Sequence, residues 1–341
     1  MKAILKEKLH LLYDEISRNH GLYLPTKEKG ALNFKKYDGN NEVDIESLQT
    51  TKSAKDFFFP QTEDMVNFKT QGKNIEIIDA REEIKSFVIF GVRACDNKSF
   101  EILDRVFLVE PVDTMYKNRR ENAVIFTLAC NNPHASCFCK VFGIDASSPK
   151  GDVECYDANG YLYLNPITEK GKEIVNSLTC LEEVEDGAVE TTKKQITEKI
   201  EKLPFSNLDL SKFKGENLME LFNRPEWQEL SEACLGCGTC TFVCPTCQCF
   251  DIRDFKTNSG VKRFRCWDSC MYSDFTQMAA ENPRKNQMQR YRQRFMHKLC
   301  YYPSNNEGIY SCVGCGRCVK KCPQSLNIVK VIKKIGGEKN D

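Results

Sequence analysis

The feature that most restricts this chain is a cysteine spacing that occurs twice. Cys234-Leu-Gly-Cys237-Gly-Thr-Cys240-Thr-Phe-Val-Cys244-Pro245 reads C-x2-C-x2-C-x3-C-P, and Cys312-Val-Gly-Cys315-Gly-Arg-Cys318-Val-Lys-Lys-Cys322-Pro323 repeats it. At this pitch three thiolates wrap a tight loop around one iron–sulfur cubane, the intervening glycines let backbone approach the sulfides, and the fourth cysteine leads away toward a second cubane. In two-cluster ferredoxins of this spacing the fourth cysteine serves the opposite cluster. Carried over, one [4Fe-4S] cluster takes Cys234, Cys237, Cys240 and Cys322, and the other takes Cys312, Cys315, Cys318 and Cys244. A zinc ribbon is the bland alternative, but zinc sites rarely use four cysteines packed this closely before a proline, still less twice.

Composition supports thiolate over disulfide chemistry. The chain has nineteen cysteines in 341 residues, a density explained either by disulfides outside the cell or by reduced thiols that bind metal inside it. The amino terminus breaks into charge at Lys6 before an export-signal core could form, and no apolar run approaches a membrane span. The expectation is a cytoplasmic protein with no membrane association. Lys plus Arg number 49 against 48 Asp plus Glu, a net charge of +1. That balance argues against a nucleic-acid-coating protein and favours proteins or neutral ligands as partners.

Two textures divide the chain. Residues 3 to 18 place Leu5, Leu9, Leu12 and Ile16 at helical steps, predicting an amphipathic helix. From about 22 to 180 come short β-rich runs, with Asn159-Gly160 as a hairpin turn. Residues 87 to 92 (FVIFGV) and 123 to 128 (AVIFTL) are almost continuously apolar, as central strands covered on both faces would be. A helix is predicted at about 97 to 107. Residues 182 to 204 are charged and read as a solvated connector. Beyond them strand signals are scarce, and the stretch between the two cysteine runs reads as helical, with Asn282-Pro283 starting a helix. The predicted architecture is a mixed α/β N-terminal domain (1–181), a helical connector (182–220) and an α-helical two-cluster ferredoxin domain (221–341).

Cys95, Cys130, Cys137 and Cys139 suggest a third centre. Cys95 and Cys130 fall just past the two apolar runs. If those strands are parallel neighbours, both thiols emerge at one sheet edge, and the CFC loop has only two more ligands to deliver. A third [4Fe-4S] cluster ranks ahead of a four-thiolate zinc site, with ordinary buried cysteines as the alternative. His134 lies in the same loop, where a lone histidine is usually just solvated. Cys247, Cys249, Cys266 and Cys270 make another quartet without motif logic, for which core packing is the default. The basic segment Arg284 to Lys298 is read as lying over the anionic clusters or as a docking surface. No Walker loop or G-x-G-x-x-G fingerprint is present, and Gly336-Gly337 is read as part of a charged tail.

With GVRACD at 91–96, CFC at 137–139, CPTCQCFDI at 244–252, RCWDSC, RQRFMHK and the two ferredoxin runs together, the chain resembles a family of iron–sulfur subunits found in anaerobic sulfite reductase, as its A component, and in NAD(P)-linked sulfhydrogenases, as their β component. The resemblance implies an electron-transfer subunit, not the catalytic one, working between a flavin/NAD(P)-binding subunit on one side and a catalytic oxidoreductase subunit on the other. The terminal reaction would be sulfite reduction, hydrogen turnover or heterodisulfide-reductase-type bifurcation. The competing expectation is a catalytic subunit with substrate chemistry at the N-terminal cysteines.

Overall fold

The computed structural model describes residues 1–47, 49–81, 83–258 and 260–336. Among these, the strands are β1 (Lys2–Leu5), β2 (Gly21–Glu28), β3 (Ala31–Lys36), β4 (Thr62–Gln71), β5 (Asn74–Asp79), β6 (Phe87–Val92), β7 (Ala123–Leu128), β8 (Val153–Ala158), β9 (Tyr161–Pro166), β10 (Glu182–Glu183), β11 (Phe250–Thr257) and β12 (Gly260–Trp267). In the N-terminal half the helices are α1 (Leu9–Asn19), α2 (Ala94–Phe107), α3 (Thr114–Asn122), α4 (Glu169–Ser177) and α5 (Gly187–Glu201). The C-terminal half adds α6 (Leu218–Phe222), α7 (Glu226–Ser231), α8 (Thr239–Phe242), α9 (Gln287–Met296), α10 (Tyr302–Asn305), α11 (Arg317–Lys321) and α12 (Ile328–Gly336).

The larger sheet has the order β10-β1-β9-β8-β7-β6-β2-β3. β6 pairs in parallel with β2 and β7, and β7 with β8. Both apolar runs are buried along their whole length. Because side chains alternate across a strand, Val88, Phe90, Val124 and Phe126 enter one core with Leu12, Tyr13 and Val175, while Ile89 and Ile125 enter another with Phe58, Phe100 and Tyr116. Covering both faces explains the absence of polar alternation. Asn159 and Gly160 turn the β8–β9 hairpin with φ of 48° and 81°.

Four expectations need correction. The predicted helix over 3–18 begins at Leu9, because β1 completes the sheet beside β9 and buries Ala3 and Ile4 there. The helix predicted at 97–107 starts at Ala94, which puts Cys95 in its first turn. The inter-cluster segment is not wholly helical: β11 and β12 form a hairpin, and β12 joins β4 and β5 in an antiparallel sheet of order β11-β12-β4-β5. Charges hide its strand pattern, since Arg263 and Asp254 pair across the hairpin (2.7 Å) and Arg265 ion-pairs with Glu63 and Asp113. Finally, α9 is capped by Asn286, which forms a capping box with Gln289, rather than by Asn282.

The charged 182–204 segment contains α5, which buries Val189, Ile196 and Ile200 and packs on β8. Gly336 closes α12 against Phe213, while Gly337 and the charged end lie outside the described residues. Among the described residues, no helix is long and apolar enough to cross a membrane.

Candidate metal centre

The cysteines of the two repeated runs fall into two groups. Cys234, Cys237, Cys240 and Cys322 line one cavity, closed by Met271, Tyr291, Arg294 and Phe295. The two runs therefore exchange their fourth cysteine across the domain. Polar groups that bond the sulfurs surround this cavity. Gln287 Nε2 lies 3.5 Å from Cys234 Sγ, the Leu326 N–H donates to Cys322 Sγ (3.2 Å), and Cys237 Sγ is 3.4 Å from Thr239 Oγ1. The Thr239 hydroxyl and backbone hold Cys237 below the usual thiol range. Tyr291 Oη and Arg294 Nε, both buried at this cavity, have no hydrogen-bond partner among the described residues. Buried donors are seldom left unpaired, and acceptor sulfides in the cavity would satisfy both.

Cys244 forms the other group with Cys312, Cys315 and Cys318. All three later thiols are raised, first by burial and then by the negative charge of their neighbours, Cys244 among them, and Cys312 reaches about 12. Thiols so disfavoured as anions need a strong positive charge to ionise, which iron supplies when it coordinates them. Two buried cations face this group. Lys298 Nζ donates to Thr246 Oγ1 (2.8 Å) and Ser311 O (2.9 Å), and Arg294 Nη2 donates to Cys240 O (2.7 Å). Burial opposes the Lys298 charge, but the sulfurs of Cys244 and Cys247 overcome it and raise its pKa. The basic segment thus turns only part of its charge inward: Arg292 instead stacks on Phe222 at 3.5 Å.

The four N-terminal cysteines line another cavity. β6 and β7 are parallel neighbours, so Cys95 and Cys130 emerge beyond the same sheet edge, and Cys137 and Cys139 arrive on the following loop. Arg93, Gln49, Cys315 and Arg317 complete the lining. Burial pushes Cys137 and Cys139 up to about 12. His134 stands apart from this lining and bonds Ser136 Oγ (2.8 Å).

The second and third groups touch. The Phe138 N–H donates to Gly314 O (2.8 Å). A Cβ on Gly314 would sit 2.4 Å from Phe138 O, and one on Gly316 would sit 2.4 Å from Ser136 O. Both glycines also have positive φ, 58° and 73°, so close approach and backbone conformation each demand glycine. Between these two groups Arg317 makes a buried bidentate pair with Asp96, both bonds 2.6 Å. Among the described residues, no three Cys, His, Asp or Glu side chains come close enough to grip a single metal ion. The first and the N-terminal quartets line cavities instead, as ligands of a cubane do.

Sequence reasoning missed the second layer of residues. Gln49 and Lys55 come from segments far from the cysteines they serve, whereas Asp96 follows Cys95 and Arg317 lies between Cys315 and Cys318. Lys55 is buried in a short helical turn, reaches Cys247 O (2.9 Å) and lies 3.6 Å over the Trp267 ring. Only the Asp within RACD and the Arg within CGRC carried any local hint. Cys266 lies on β12 and Cys155 in the sheet core, apart from both cavities.

Residues 233–326 match the 4Fe-4S dicluster domain family. Fold and cysteine geometry therefore define an iron–sulfur protein with a two-cluster electron-transfer domain. Over nearly its whole length the chain is also similar to sulfhydrogenase 2 subunit beta of Pyrococcus furiosus, at 30% identity over 325 residues, 94% of this chain and 93% of the relative. The chain belongs to that family of iron–sulfur oxidoreductase subunits. No solved structure matches it.

Proposed function

We propose that this chain is the electron relay of a multi-subunit oxidoreductase. It works between a flavin/NAD(P)-binding subunit on one side and a catalytic subunit on the other, and holds three [4Fe-4S] clusters. Residues 221–341 form the ferredoxin unit and residues 1–181 the unit that holds the third cluster. Cys234, Cys237, Cys240 and Cys322 hold the first, Cys312, Cys315, Cys318 and Cys244 the second, and Cys95, Cys130, Cys137 and Cys139 the third. A cubane takes up and passes on one electron without making bonds in a substrate.

The observation that carries this reading is that the three quartets are contiguous. Arg294 lines the first cavity and faces the thiols of the second quartet. Cys315, of that second quartet, lines the cavity of the N-terminal cysteines. The protein's own residues set the conditions for transfer. Buried cations favour the more negative, reduced state, N–H and O–H donors at sulfur do the same, and apolar walls exclude water. The relative's name, a sulfhydrogenase subunit, supports membership in a multi-subunit complex.

Co-purification from native cells tests the proposal by naming the partners. The isolated chain is expected to be reduced by NAD(P)H only when the flavin subunit is added. Substrate turnover by the isolated chain, abolished by Cys130→Ala with the ferredoxin signals intact, would instead support catalysis at the N-terminal cysteines.

A further inference from the structure

Three cysteines outside the quartets lie against them. Cys247 and Cys249 follow the first run, and Cys270 comes from the turn after β12. The Asp268 N–H donates to Cys249 O (3.0 Å), and Thr241 Oγ1 donates to the buried Ser269 Oγ (2.8 Å). These bonds hold the two segments together, so that the thiols of Cys249 and Cys270 are direct neighbours and interact. The pair lies between the proposed clusters. Cys270 senses Cys240 of the first quartet, while Cys247, beside Cys249, contacts Cys244 of the second.

The surroundings are unusual in charge. Lys55, Arg294 and Lys298 are all buried, and among the described residues none is ion-paired with a carboxylate. Arg294 Nη1 donates to Cys247 Sγ (3.3 Å), and Lys55 Nζ to Cys247 O (2.9 Å). Buried cations are costly unless paired, so this pocket is built to face negative charge on sulfur. Cys249 and Cys270 are only partly buried, which leaves water a route to them.

We propose that Cys249 and Cys270 form a redox-active dithiol–disulfide pair. This rests on the reading that the adjoining quartets hold clusters. In reduction the S–S bond accepts two electrons and breaks, and two protons from water complete two thiols. The electrons arrive singly by way of the two neighbouring cubanes. The reverse step forms the S–S bond, releases two protons and returns two electrons. After the first electron the pair carries a negative charge, which Arg294 and Lys298 stabilise. The chain thereby gains a store for an electron pair beside one-electron carriers, as a relay between two-electron partners requires.

The test uses the full chain, purified anaerobically with its clusters. It is equilibrated in dithiothreitol redox buffers of graded potential, quenched, alkylated and analysed by peptide mass spectrometry. The expected result is a Cys249–Cys270 disulfide at the oxidising end that opens in a single two-electron transition. Cys249→Ser and Cys270→Ser should keep the wild-type iron, sulfide and EPR signals, yet take up two fewer electrons per chain in a reductive titration. Alkylation of both cysteines at every potential would overturn the proposal. So would loss of one zinc or iron from either variant, which would make these residues metal ligands. A wild-type chain devoid of iron would overturn it together with the cluster assignment beneath it.

Discussion

Lys298→Met removes one buried charge while keeping the length of the side chain. Lys298 Nζ is 2.8 Å from Thr246 Oγ1, which is itself 3.3 Å from Cys244 Sγ. Ammonium and sulfur are thus at most about 6 Å apart, where unit charges at an effective dielectric near 20 interact by at least ~3 kcal/mol. A cluster spreads its charge beyond that one sulfur, so about 2 kcal/mol reaches the added electron, which for a one-electron couple is roughly 80 mV. Losing a cation disfavours the reduced state, so the potential should fall by that amount. The assay is an EPR-monitored redox titration of the anaerobic chain with iron content measured in parallel. Lys298→Arg should restore most of the shift. A titration curve identical to wild type, at full iron content, would refute the claim that this lysine sets the potential of the cluster held by Cys244, Cys312, Cys315 and Cys318.

Further expectations follow from the same geometry. Asp96→Asn leaves Arg317 buried without its counter-charge and should cost about 3–5 kcal/mol in denaturant unfolding, whereas Asp96→Leu combined with Arg317→Met should cost far less. Gly314→Ala forces a Cβ to within 2.4 Å of Phe138 O and should displace the CFC loop, releasing about four irons per chain. Gly308→Ala, at φ 78° with nothing within 4 Å, should incur only a backbone penalty and keep its iron. Burial, aided by Lys298, Arg284 and Arg294, depresses His297 to about 4. The folded chain then stays neutral there while the unfolded chain binds a proton below its ordinary value. That stability is present above about pH 6.5 and should fall by about 2 kcal/mol by pH 5. In His297→Gln, denaturant midpoints should lose this part of the pH dependence.

The candidate ligands were legible because cluster chemistry dictates spacing within a few residues. The two runs announce a two-cluster domain locally, and the spacing also suggested the proposed exchange of Cys244 and Cys322. The N-terminal quartet needed one further step, the supposition that the two apolar strands lie side by side in parallel, which β6 and β7 do. Non-local pairing escaped. β12 finds its partner β4 some two hundred residues earlier in the chain, and its charged residues mask the strand period that would have revealed it. β1 was lost for a related reason. Leu5, Leu9 and Leu12 fit a helix by local periodicity, yet Ala3 and Ile4 are claimed by the sheet, between β10 and β9. The residues that set charge around the sulfurs were the least legible. Nothing in the sequence near Lys55 says that its ammonium will lie over Trp267 and reach Cys247.

The most direct test of the account is the iron and acid-labile sulfide content of the anaerobically reconstituted chain, measured beside Cys130→Ser. Three cubanes predict about twelve irons and as many sulfides in the wild type and about eight of each in the variant, with both ferredoxin signals retained. Zinc without sulfide, or an iron content that Cys130→Ser leaves unchanged, would contradict it.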